Sequence, residues 1–183
     1  MKCFFLVLFL LADITMAFCQ KKTVEFQSVG ISNMTEFYTK PSRLNWNITS
    51  LEGTVRMNMD SVHNITLVPR LNLAQKVPIG DNYFKKVDVQ GQLETYFVVS
   101  RKLSLYALYA YSASTVFSKH LAIVEGTFSL THGWNLTGGS KMYYWTKPIF
   151  SYTLGLEKYI GNYWITVKPY LTYMHSNCYG SVN

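Results

Sequence analysis

Cysteine, charge and long apolar runs are all scarce in this chain. Of its three cysteines, Cys3 and Cys19 lie in an N-terminal segment that reads as a removable leader. Cys178 is then alone, which excludes an internal disulfide in the mature protein. Stability has to come from another source, and a closed, hydrogen-bonded barrel supplies one. Charged residues make up 15% of the chain, against about 25% in a usual soluble domain. No apolar stretch beyond the leader reaches the roughly 20 residues of a transmembrane helix. No sustained 3.6-residue periodicity follows the leader either, so helices are not expected. The net charge is +7, yet the bases stand singly or in pairs such as Lys21-Lys22, Lys85-Lys86 and Arg101-Lys102. There is no run of five or more, and a nucleic-acid partner is not expected.

Metal and phosphate chemistry are also poorly provided for. His63, His120, His132 and His175 show no metal-ligand spacing, and Cys-x-x-Cys is absent. "GWNLTGG" has three glycines but lacks the lysine and spacing of a phosphate loop. No cofactor and no metal site is expected. A lipid-acting Ser-His-acid site has one candidate set, Ser118, His120 and Glu125. The odd separation of His120 and Glu125 sends them to opposite faces of a strand, which disfavours catalysis.

The leader itself has three parts: Lys2, an apolar run from Cys3 to Ala12, and a short polar region ending in A-x-C at Ala17 to Cys19. That is the pattern of a secretory signal peptide, residues 1–19. Phe18 is too bulky for the position before a lipidated cysteine. Residues 20–183 then form one domain, since no linker or low-complexity segment divides them.

The body of the chain is alternation. Period-2 segments predict strands near 22–31, 42–50, 52–59, 62–76, 83–99, 102–113, 120–131, 133–145, 149–159 and 162–174. Short turns are expected near Ser100, at Thr131–Trp134 and at Tyr159–Tyr163, and longer connections at Val77–Asn82 and Ser112–Lys119. Short turns alternating with longer loops suit an up-and-down outer-membrane barrel. Isolated charges in mid-strand, Glu125, Lys141, Glu157 and Lys168, are candidates to face a lumen. Alternation alone does not separate a membrane barrel from a secreted β-sandwich. The aromatic share, 16%, helps to separate them. Tyr143, Tyr144, Trp145, Tyr159, Tyr163, Trp164, Tyr170 and Tyr173 lie near predicted strand ends, as interfacial girdles require. Sequons at Asn33, Asn47, Asn64 and Asn135 are read as by-products of an Asn- and Thr-rich β protein.

Three stretches carry a resemblance: "YALYAYSASTVFSKH" (Tyr106 to His120), "GWNLTGGSKMYYW" (Gly133 to Trp145) and "LEKYIGNYWITVKPYL" (Leu156 to Leu171). Together they make Tyr83 to Tyr173 resemble the YaiO-type outer-membrane β-barrel family, with Lys168 where the family has Arg before Pro-Tyr. The resemblance implies the outer membrane of a Gram-negative bacterium, and the composition is similar to Bacteroidetes members. The expectation is therefore an all-β, antiparallel up-and-down barrel with about ten strands visible. It is expected to be incomplete, because "SNCYGSVN" reads as a loop and not as a closing aromatic strand. The expected role is non-enzymatic, as a narrow pore or a ligand-contacting barrel. Membrane lipid and the barrel-insertion machinery are its expected partners, and the ligand is undefined.

Overall fold

Alternating apolar and polar side chains favour a pleated sheet in which each face takes one class. The computed structural model describes residues 23–38, 44–78, 86–113, 116–174 and 177–182; the leader reading, like His175, lies outside them. They form β1 (Thr23–Tyr38), β2 (Leu44–Asn58), β3 (Asn64–Pro78), β4 (Lys86–Val98), β5 (Leu103–Ser112), β6 (His120–Ser129), β7 (Trp134–Tyr144), β8 (Pro148–Ile160), β9 (Tyr163–Val167), β10 (Pro169–Met174) and β11 (Asn177–Val182). All belong to one antiparallel sheet in sequence order. β9 and β10 continue a single register against β8 on either side of Lys168. The sheet is thus an up-and-down meander of ten lines. Among the described residues β1 pairs only with β2 and β11 only with β10, so the sheet is open. Among the described residues there is no second layer of the kind a sandwich needs.

Several expected boundaries change, and the segment expected at 22–31 runs on as β1 to Tyr38. The segments 42–50 and 52–59 are one strand, β2, which runs straight through Ser50-Leu51-Glu52-Gly53. Polar residues and a glycine look like a turn in sequence, but mid-strand they serve one polar face. The 162–174 segment is interrupted at Lys168, before Pro169, whose nitrogen cannot donate to a ladder. The loop-like terminal run contains β11, paired with β10 from Pro169↔Val182 to Met174↔Asn177.

The short turns expected near Ser100, at Thr131–Trp134 and at Tyr159–Tyr163 are present, and another lies at Asp60–His63. His132 and Gly133 take positive φ (58° and 74°) between β6 and β7, and Gly161 (58°) turns β8 into β9. At the first short turn, Asp60 Oδ1 accepts from the backbone N–H groups of Val62 and His63, both at 2.7 Å, and Oδ2 meets His63 Nδ1 at 2.6 Å. The His63 and then the Val62 N–H bonds, followed by the His63 side chain, hold the Asp60 carboxyl down at about 2, from an ordinary 3.8. Since the folded value is the lower one, the turn's contribution is complete above about pH 4 and is lost as pH falls through about 2. A carboxyl-carbon NMR titration is expected to find a midpoint near 2 in the folded protein. A midpoint at 3.8 would show that the turn does not hold the carboxylate.

Burial in this sheet is inverted. Among the described residues, the buried polar ones include Asn72, Asp88, Gln90, Glu94, Ser112, Thr137, Ser151 and Thr153, whereas only Ala74, Leu108, Ala110 and Val116 are buried and apolar. Large apolar side chains such as Ile31, Val89, Leu93, Val124, Leu154 and Leu171 are exposed. A single sheet buries one face only by curling round on itself. Here it curls with the polar face inward.

Candidate functional site

The polar face is organised by a belt of paired charges running across the strands. Glu52 on β2, Arg70 on β3 and Gln92 on β4 are register neighbours. Arg70 reaches Glu52 Oε2 with Nη2 (2.6 Å) and Nε (2.8 Å), and Glu94 Oε1 with Nη1 (3.0 Å). Glu94 also accepts from Gln92 Nε2 (2.7 Å) and from the hydroxyls of Tyr96 (2.8 Å) and Tyr106 (3.4 Å). The Tyr96 and Tyr106 rings lie 4.9 Å apart. Tyr106 is in turn the register partner of Glu125 on β6. Glu125 closes the belt, bonding Lys168 Nζ at 2.6 Å with Lys141 Nζ at 3.9 Å. Lys141 also sits over the Tyr170 ring, 4.9 Å from its centre.

The Glu125–Lys168 bond has an unusual route. Two strands, β7 and β8, separate β6 from the β9–β10 line. At roughly 4.8 Å per strand, the two backbones are too far apart for the side chains to meet unless nothing stands between them. Gly139 on β7 and Gly155 on β8 leave that passage open. A Cβ on Gly139 would lie 2.5 Å from the Val124 carbonyl oxygen and 2.6 Å from Glu125 Cγ. A Cβ on Gly155 would lie 2.6 Å from Thr137 Oγ1 and 3.0 Å from Lys168 Cγ. The glycines are a trough, and the ion pair lies along it.

A second polar centre sits toward the longer connections. Asp88, 3% exposed, accepts from Ser112 Oγ (2.5 Å) and from the N–H groups of Val116 (3.1 Å) and Phe117 (2.8 Å). It fastens the described part of the β5–β6 connection to the polar face.

The four charges expected from the sequence all lie on this face. Glu125, Lys141 and Lys168 are brought together; Glu157, opposite Asn135 and Thr166, stands apart toward the short turns. Glu52, Arg70, Asp88 and Glu94 were not among the expected residues. Their signal was the same one, a charge in mid-strand, in the first half of the chain.

The aromatic candidates divide between the faces. Tyr144 and Tyr173 lie on the apolar face, at the end with the longer connections. Tyr163 shares that face at the opposite end and is 75% exposed. Tyr143 and Tyr170 lie on the polar face instead, because their register partners Leu121 and Thr153 are there. Tyr159 and Trp164 stack at 6.4 Å at the end with the short turns, in line with Glu157 and Thr166. Trp145, just beyond β7, stacks on Tyr143 at 6.0 Å. The apolar face has a ring cluster of its own, with Tyr109, Tyr111 and Tyr144 around His120 at centroid distances of 6.2, 5.3 and 5.8 Å. The Tyr109 hydroxyl meets His120 Nδ1 at 2.9 Å. His120 and Glu125 therefore sit on opposite faces, and the Ser118-His120-Glu125 set is not assembled. The sequon residues Asn33 and Asn47 bond each other reciprocally at 3.1 Å across β1 and β2.

Residues 26–183 match the family model of the YaiO membrane β-barrel domain. The chain belongs to this family. Membership accounts for the inverted burial, since a YaiO barrel meets lipid with its apolar face and encloses its polar one. Comparison with curated proteins and with solved structures finds no match. Among the described residues, no group of three or more His, Cys, Asp or Glu side chains could hold a metal ion.

Proposed function

We propose that this protein is a non-enzymatic integral β-barrel of a Gram-negative outer membrane. It is exported by its leader and placed in the bilayer by the barrel-insertion machinery. The observation carrying this reading is the inverted burial, with Asn72, Asp88, Gln90 and Glu94 inside and Val89, Leu93 and Leu154 outside. Water does not drive a sheet to expose such residues, whereas hydrocarbon does. The short turns lie on the periplasmic side and the 79–85 and 113–119 connections on the outer side, following the usual asymmetry of such barrels. The polar face lines the lumen. Its belt pairs Glu52, Glu94 and Glu125 with Arg70, Lys141 and Lys168, so the charges lining the lumen wall are held against one another. Contact with ligands then falls to the loops on the outer side, in preference to solute passage.

Fractionation of the full chain tests this. The protein is expected in the outer-membrane pellet, with faster gel migration when unboiled than when boiled. Recovery in the soluble periplasmic fraction would overturn the proposal.

A further inference from the structure

The sheet has one weak line, and it crosses the middle of β1 to β4. The β1–β2 register shifts between Phe26 and Ser28, leaving Gln27 as a bulge. The β2–β3 ladder runs to Glu52↔Arg70, then resumes only at Val55↔Leu67. The gap holds Gly53 opposite Pro69. Proline is rare in a strand with partners on both sides because its nitrogen donates nothing. The Gly53 carbonyl, facing that nitrogen, goes without its ladder donor. Next along the line is Gly91, register partner of Leu71.

On the apolar face this line is a groove of about 420 Å³, lined by Val29, Leu51, Gly53, Pro69, Leu71 and Gly91 together with Glu52, Arg70 and Gln92, whose positions in the register alternate to the polar face. That volume lies within the roughly 300–1,000 Å³ of small-molecule sites. Neither glycine is demanded by the backbone, since neither has a positive φ. A Cβ on Gly91 would meet nothing within 4 Å, and one on Gly53 only the Ser28 carbonyl at 4.0 Å. What the two glycines supply is space. Val29, Leu51 and Leu71 at its walls are exposed, and the groove is continuous with the apolar face that meets the bilayer.

We infer that this groove seats one acyl chain of a membrane lipid, held more tightly than the lipid around the rest of the wall. The inference rests on the apolar face lying against lipid, as proposed above. A chain in the groove packs against Pro69 and into the space left by Gly53 and Gly91, a hold that a wall position carrying a full side chain does not offer.

The test is photo-cross-linking of the full chain in vesicles containing a phospholipid with a diazirine in one acyl chain. Cross-linked peptides are mapped by mass spectrometry. Adducts are expected to be enriched several-fold at Leu51, Leu71 and their neighbours over an equally exposed reference, Val124. Gly91→Leu, which fills the groove without a clash, is expected to abolish the enrichment and keep the heat-modifiable migration. Gly53→Leu fills it from the other wall, so one misfolded variant leaves the test standing. Uniform labelling around the wall overturns the inference while leaving the membrane reading intact. Enrichment that survives either folded variant overturns it too, as does enrichment with a diazirine free fatty acid but not with the phospholipid. A failure to reach the membrane at all strikes the membrane reading instead.

Discussion

Alanine at Gly139 is expected to lower the stability of this barrel by about 3 kcal/mol. The new Cβ meets the Val124 carbonyl and the Glu125 stem at 2.5 and 2.6 Å, well inside contact distance, and the first of these is backbone. Overpacking of this kind costs roughly 1–3 kcal/mol by itself. Glu125 is also displaced from the path along which it reaches Lys168, so a mostly buried ion pair is strained or lost. The measurement is urea-dependent unfolding in lipid vesicles, read by gel migration. Gly138→Ala is the control. Its Cβ would lie 3.6 Å from Leu154 Cδ1, an ordinary contact, on the apolar face. Equal effects at the two neighbours would mean that strand flexibility matters there and the trough does not.

Arg70→Met is expected to have an effect of similar size. It leaves Glu52 and Glu94 facing each other without the guanidinium between them, and the Glu94 side chain is only 7% exposed. Removing one partner of a buried pair costs about 3–5 kcal/mol; about 2–3 is expected here, because Arg70 itself is 30% exposed. The same urea titration measures it. Adding Glu94→Gln to Arg70→Met is expected to restore more than half of the loss, since the more buried of the two uncompensated charges is then gone. Strict additivity of the two substitutions would dissolve the belt into unconnected surface contacts.

Much of the fold was legible because a barrel writes its faces into alternate positions. In β8, Ser151, Thr153 and Gly155 are buried while Phe150, Tyr152 and Leu154 are exposed, just as the alternation predicts. What alternation does not encode is where a strand stops. Ser50-Leu51-Glu52-Gly53 looks like punctuation only if a strand is assumed to dislike glycine and charge at its centre. An enclosed polar face wants such residues there, and β2 runs through them. The ion pairs were half legible. Isolated charges flagged the face, but which charges meet depends on register and on what the intervening strands leave out. Glu125 and Lys168 are 43 residues apart, and the only local sign of their meeting is a pair of glycines at positions of matching face. Tyr143 and Tyr170 fall on the polar face for a related reason. Proximity to a strand end does not determine which way a ring points.

The ordering of the sheet has a consequence for how the protein assembles. Every strand pairs with its neighbour in sequence, so each hairpin can form before the next is added. The Glu125–Lys168 pair reaches further, because it forms only after two further strands are laid down between its ends. It therefore acts as a late latch. Damage to it falls mainly on the rate at which the finished wall comes apart, and little on the rate at which the wall is built.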